Sequence, residues 1–106
     1  MVVGNKVVWL IGLSGAGKTT IAEATAKRFG AELLDGDTIR DFFSNNDFSR
    51  EGRERHLLGI AKMATLMAKH TPVICSFITP YEDVRERILE ILPQNSTMVH
   101  LSLIHT

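Results

Sequence analysis

Residues 12–19, Gly12-Leu13-Ser14-Gly15-Ala16-Gly17-Lys18-Thr19, match the pattern G-x-x-x-x-G-K-[ST] in full. Each part of that pattern suits a polyphosphate. Glycines let the backbone approach an anion with no Cβ in the way. The concave row of N–H groups they expose, at the start of the following helix, favours negative charge. In such a loop Lys18 reaches the β- and γ-phosphates and the Thr19 hydroxyl ligates Mg²⁺, with Thr20 next to them; ATP and Mg²⁺ are therefore the expected cofactors. A plain glycine-rich turn would read similarly, but here an apolar strand pattern precedes the loop and a helical pattern follows it. The loop alone does not separate kinases from GTPases and ATPases. The guanine-specific N-K-x-D motif of GTPases is absent from the chain.

A second cluster, Leu33-Leu34-Asp35-Gly36-Asp37-Thr38-Ile39-Arg40, sets two carboxylates and an arginine at the end of another apolar run. A carboxylate there could accept a proton from an attacking hydroxyl or orient a metal-bound water. Arg40 could hold a second anion. Equally, the segment could be a helix start, with Asp37 as N-cap and Arg40 in solvent. The four histidines, His56, His70, His100 and His105, have no metal-ligand spacing and read as surface or satisfied side chains.

The elements that must carry these groups follow from periodicity. Val7 to Ile11 is a β-branched run without polar alternation, the mark of a strand buried on both faces. Lys18 to Phe29 has a helical pattern with Ile21, Ala22, Ala26 and Phe29 on one face, and Gly30 as C-cap. Glu32 to Asp35 reads as a second strand and Asp37 to Phe43 as a short helix, followed by a polar loop. Ser49 can cap a helix to about Lys69, with Leu57, Ile60, Ala61, Ala64, Leu66 and Met67 as its apolar face. Val73 to Phe77 reads as a third strand, Tyr81 to Ile91 as a helix stopped by Pro93, and Met98 to Leu103 as a fourth strand. Alternating strands and helices imply an α/β layered fold with a mainly parallel sheet of about four strands and helices on both faces. Ligands in such sheets bind at the carboxyl ends of the strands, where residues 12–19, 35–40 and 77–81 all fall.

The chain's 106 residues fit one domain. Twelve basic and twelve acidic side chains cancel, so no global field draws it to nucleic acid or an anionic membrane. No apolar run approaches the ~20 residues of a membrane helix. The lone cysteine, Cys75, excludes an internal disulfide and fits a reducing cytoplasm.

Taken together, the phosphate loop with Thr20-Ile21-Ala22, Leu33-Leu34-Asp35-Gly36-Asp37 with Ile39-Arg40, Phe48-Ser49, and Ser76-Phe77-Ile78-Thr79-Pro80-Tyr81 resemble the adenylylsulfate (APS) kinases. These are P-loop enzymes that phosphorylate the 3′-hydroxyl of adenosine 5′-phosphosulfate with MgATP. The resemblance implies Lys18, Asp37 and Asp35 as catalytic groups, with Asp37 as base and, beside Thr19, as metal contact. It implies that Arg40 and Arg53 meet the phosphosulfate. Phe48 and Phe77 would pack on the adenine, and Ile78, Thr79 and Pro80 would line the same pocket. Both phenylalanines could instead be core residues, and Arg53 a solvated side chain. Thr79 takes the place of a family serine sometimes given a phosphorylated-intermediate role, which direct in-line transfer does not need. Family members commonly pair as dimers.

The pattern departs from the family's F-S-x-x-D-R-x-E-N-I-R-R at Gly52, His56, Leu58 and Gly59, and Glu82 stands where a basic residue is common. These changes suggest an altered acceptor or a relaxed pocket. The family's mobile lid and adenine loop have no counterpart in this sequence. The expectation is therefore an APS-type kinase domain shortened at its C-terminal side, alternatively a non-catalytic nucleotide-binding module or one half of a split enzyme.

Overall fold

The computed structural model describes residues 6–12, 18–43 and 49–100, without the side chains of Lys18, Thr19, Asp37 and Phe43. Eight elements follow in order: β1 (Val7–Ile11), α1 (Lys18–Phe29), β2 (Glu32–Asp35), α2 (Gly36–Phe43), α3 (Arg50–Met67), β3 (Val73–Phe77), α4 (Glu82–Ile91) and β4 (Thr97–His100). The strands form one parallel sheet in the order β2-β3-β1-β4. The first crossover leaves β1 and passes over the position that β3 fills, and the last leaves β3 and passes over β1. Strand order therefore reverses between β1 and β3, which is where open parallel sheets hold ligands.

Strand pleat divides the core. Val7, Trp9, Ile11, Leu34, Val73, Cys75 and Phe77 face one side, covered by Leu57, Ile60, Ala61 and Ala64 of α3 and Val84 and Ile88 of α4. Leu10 and Ile74 face the other, covered by Ala22 and Ala26 of α1. All five residues of β3 are buried, as a central strand with both faces covered requires.

Local sequence accounts for the ends of the helices. Gly30 takes φ +63°, and Ala31 N–H donates to the Ala26 carbonyl at 2.8 Å, a Schellman close to α1. Ser49 Oγ accepts from Gly52 N–H at 3.0 Å and caps α3. At the start of α2 it is Asp35, not Asp37, whose carboxylate accepts from Thr38 N–H, at 3.4 Å, so the helix begins one residue earlier than expected.

Three apolar residues depart from the expected faces. Ile21 is 45 % exposed, Phe29 66 % and Leu66 62 %. Only Ala22 and Ala26 of α1 reach the sheet; Ile21 stands about 100° round the helix from Ala22. Phe29 shares that azimuth but is the last helical residue, lying beside the Arg28 guanidinium instead. Leu66 is two residues from buried Ala64, about 200° away, and the stripe continues through Ala68. The last strand is described over Thr97–His100, and its expected continuation through Leu101 to Leu103 lies outside the described residues.

Candidate functional site

The carboxyl ends of β1, β2 and β3 gather the candidate groups. Residues 13–17 of the phosphate loop lie outside the described residues, as do the side chains of Lys18 and Thr19. The backbone on both sides is in place: β1 ends at Ile11, Gly12 follows, and α1 opens at Lys18, with Thr20 exposed in its first turn. That first turn holds no acidic residue, whereas α3 starts with Glu51 and α4 with Glu82 and Asp83. Carboxylates compensate the positive end of α3 and of α4; the start of α1 is left open to an anion.

Asp35 ends β2 in register with Ser76 of β3, which is in register with Leu10 of β1. The pleat puts Asp35, Ser76 and Leu10 on the α1 side of the sheet. Gly36 follows because β2 turns into α2 close against β3: a Cβ there would stand 3.3 Å from Phe77 Cδ1 and 3.4 Å from the Ser76 carbonyl oxygen. The Asp37 side chain, Phe48, and the contacts expected of them are outside the described residues.

Arg40 on α2 and Arg53 and His56 on α3 form a second group, all partly buried. Arg53 and His56 are three apart and so share a helix face. The His56 ring stands edge-on to Phe77 with centroids 6.3 Å apart. Burial, and secondarily the Arg40 charge, hold its pKa below the ordinary histidine value.

The segment after β3 bears on two residues that the resemblance singles out. Phe77 is 3 % exposed and its ring stacks on Trp9 at 5.3 Å, so it is a core side chain and not a platform for a base. Thr79 is 1 % exposed; its Oγ1 accepts from the Trp9 indole N–H at 3.0 Å and donates to the Phe77 carbonyl at 3.2 Å. That hydroxyl is turned into the core and is not presented to a phosphoryl donor. Arg85 Nε–H donates to the Thr79 carbonyl at 2.7 Å. Thus pinned, the segment turns Ile78 and Pro80 outward, where with Ile11, Gly12, Thr79, Arg85 and His100 they line a cavity of about 180 Å³. Sequence reasoning missed Trp9 and Arg85, because an apolar strand residue and a charged helix residue give no local sign of meeting at residue 79.

Comparison with known proteins agrees with this geometry. The family model for adenylylsulphate kinase matches residues 4–105. The chain belongs to the adenylylsulfate kinase family. It is 43 % identical over 95 residues to the adenylyl-sulfate kinase of Chloroflexus aurantiacus, covering 83 % of this chain and 51 % of that one. It is 44 % identical over 95 residues to a probable adenylyl-sulfate kinase of Aeropyrum pernix, covering 83 % of this chain and 52 % of that one. The chain thus spans about half the length of these curated relatives. The APS kinase of Mycobacterium tuberculosis, solved with AMPPNP and APS, superposes with a TM-score of 0.84 at 25 % identity, over 93 % of this chain and 63 % of that one.

Several departures from the adenylylsulfate kinase pattern have local structural roles, and Gly59 is the exception. Gly52 is buried at the first turn of α3 against the Ser49 cap, and Gly59 is exposed in the helix's middle. Leu58 packs on the edge of the core. Glu82 opens α4, where a carboxylate is favourable. Among the described residues no cluster of three metal-ligating side chains occurs and no helix is long and apolar enough to cross a membrane. Mg²⁺ held mainly by nucleotide phosphates needs no such cluster. The donors on the α1 side, the Asp35 carboxylate and the buried Ser76 hydroxyl, are oxygen ligands of the kind it takes through water.

Proposed function

We propose that this domain binds ATP with Mg²⁺ and transfers its γ-phosphoryl group to the 3′-hydroxyl of adenosine 5′-phosphosulfate, a step of sulfate assimilation. The convergence of Gly12-to-Thr19, Asp35-to-Arg40 and Ile78-to-Pro80 at the carboxyl ends of three adjacent strands carries this reading. Membership of the adenylylsulfate kinase family supports it.

In this mechanism the backbone N–H groups of residues 12–17 would hold the triphosphate, and Lys18 would neutralise its β- and γ-phosphates. Asp37 receives the proton of the 3′-hydroxyl as that oxygen attacks the γ-phosphorus. The bond from phosphorus to the β–γ bridging oxygen breaks, and ADP leaves. Asp35 fixes the start of α2 and with it the placement of Asp37. Arg40 and Arg53 hold the acceptor's anionic end, and Ile78 and Pro80 wall its other side. Thr19 and Asp37 would hold Mg²⁺, which would neutralise the charge on the transferring group.

APS-dependent release of ADP, measured with MgATP beside a Lys18→Ala control, tests the reading. Turnover that requires APS and vanishes in the control is expected. ATP binding without APS-dependent turnover would favour a second reading, a nucleotide-binding half that needs a partner segment. The specific support for that alternative is that the chain spans about half of its relatives.

A further inference from the structure

Ser76, the penultimate residue of β3, is 1 % exposed, and its Oγ has no hydrogen-bond partner among the described residues. A buried hydroxyl left unpaired costs stability, because folding removes its water and returns nothing. Every alternative apolar choice at this place, such as alanine, would avoid that cost. The position of Ser76 says what could repay it. It shares the pleat of Ile74, on the face covered by α1, and lies at the carboxyl end of the strand next to β1. At that same end β1 stops at Ile11, and α1 opens at Lys18. Its neighbour in register on β2 is Asp35, whose carboxylate makes the surroundings negative and suits a cation better than a bare phosphate.

Resting on the MgATP reading above, we propose that the Ser76 hydroxyl belongs to the metal side of the nucleotide site. It accepts or donates a hydrogen bond to the water shell of the divalent cation that arrives with the triphosphate, and so sets metal affinity without ligating the metal directly. Outer partners of this kind govern metal affinity by ~10- to 100-fold in other sites. The design exchanges stability of the empty protein for affinity of the loaded one.

Ser76→Ala in the 106-residue chain tests this through three measurements. Calorimetric titration with ATP is run with Mg²⁺ and again in EDTA, and the melting temperature is read without ligand. Ser76→Ala should weaken ATP binding by about tenfold or more with Mg²⁺ and leave it unchanged in EDTA. Without ligand it should melt several degrees higher than the wild type, since the unpaired hydroxyl is gone. Unchanged affinity with Mg²⁺ overturns the proposal, as does a lower melting temperature, which would mean the hydroxyl is satisfied by a buried water. An equal loss in EDTA also overturns it and assigns Ser76 to the phosphates. Wild-type protein that binds no ATP under either condition brings down the nucleotide reading itself, and this inference with it.

Discussion

Thr79 ties three elements together through one side chain and one carbonyl. Replacing it with valine keeps the shape and removes the acceptor for the Trp9 indole N–H, leaving a buried donor unpaired. Thr79→Val should destabilise the domain by ~1–3 kcal/mol, whereas Thr79→Ser should cost less than Thr79→Val. Trp9 is the chain's only tryptophan. Its emission therefore reports both unfolding in urea and the loss of the indole hydrogen bond in the folded state. Identical folded-state spectra and stability for wild type and Thr79→Val would show that this bond does not form. His56 is the other informative residue. The folded protein holds it neutral below the ordinary pKa of ~6.5, so the unfolded chain binds more protons as the medium acidifies. Its contribution is present above that value and is lost as pH falls through the lower folded pKa. Wild type should lose stability through that window more steeply than His56→Asn, as read by denaturant midpoints at a series of pH values. Parallel slopes would remove His56 as the cause. Cys75, by contrast, is pushed so far up by burial that it stays a thiol throughout.

α3 and α4 form the layer that covers the Trp9 face of the sheet, and their contacts are of unequal weight. Burial of Leu57, Ile60, Val84 and Ile88 does most of the holding. Arg50 meets both oxygens of Asp83 at 2.8 Å and lies 4.2 Å over the Tyr81 ring, and Arg87 pairs with Glu54. The first pair is more than half exposed and contributes at most ~1 kcal/mol, so it orients the start of α4 more than it stabilises it. Gly59 is a weak point in α3: it sits mid-helix, and an added Cβ would meet nothing within 4 Å. Gly59→Ala should stabilise the domain by up to ~1 kcal/mol with no effect on ligand binding, measurable by thermal and urea melts. A destabilised Gly59→Ala would indicate an unseen neighbour at that face.

At the scale of the whole domain, the sheet has two edges among the described residues, β2 and β4. Over its described residues β4 is only partly buried, and among the described residues it pairs with β1 alone. Such an edge offers unpaired N–H and C=O groups to any strand that approaches. The 106-residue chain should therefore associate as its concentration rises, followed by sedimentation velocity. Thr97→Lys, at an exposed position of β4, should reduce that association, since a charge on an edge strand opposes edge-to-edge pairing. Association unaffected by Thr97→Lys would place the contact elsewhere, such as the exposed apolar residues of α1.

The order of elements, the parallel sheet and the phosphate loop were all legible in the residues, because each rests on local terms. Runs of β-branched residues mark buried strands, glycines mark backbone approach, and Ser49 and Gly30 mark helix ends within a few positions of themselves. What the tertiary structure decided was which side of each element is inside. Helical periodicity cannot say how far the sheet extends under a helix, so Phe29 and Leu66 were misplaced although their spacing looked right. Phe77 and Thr79 lie in a stretch that resembles a binding motif, yet their side chains are spent on Trp9, which is 70 residues from Thr79 along the chain. Ser76 stands out in the sequence only as part of the resembling segment, with no role attached, for a serine in an apolar strand can be paired or orphaned. Only the register of β3 between Leu10 and Asp35 shows its hydroxyl buried, unpaired and facing the phosphate loop's helix. Long-range hydrogen bonds and burial are properties of pairs of distant residues, and no reading of one segment contains them.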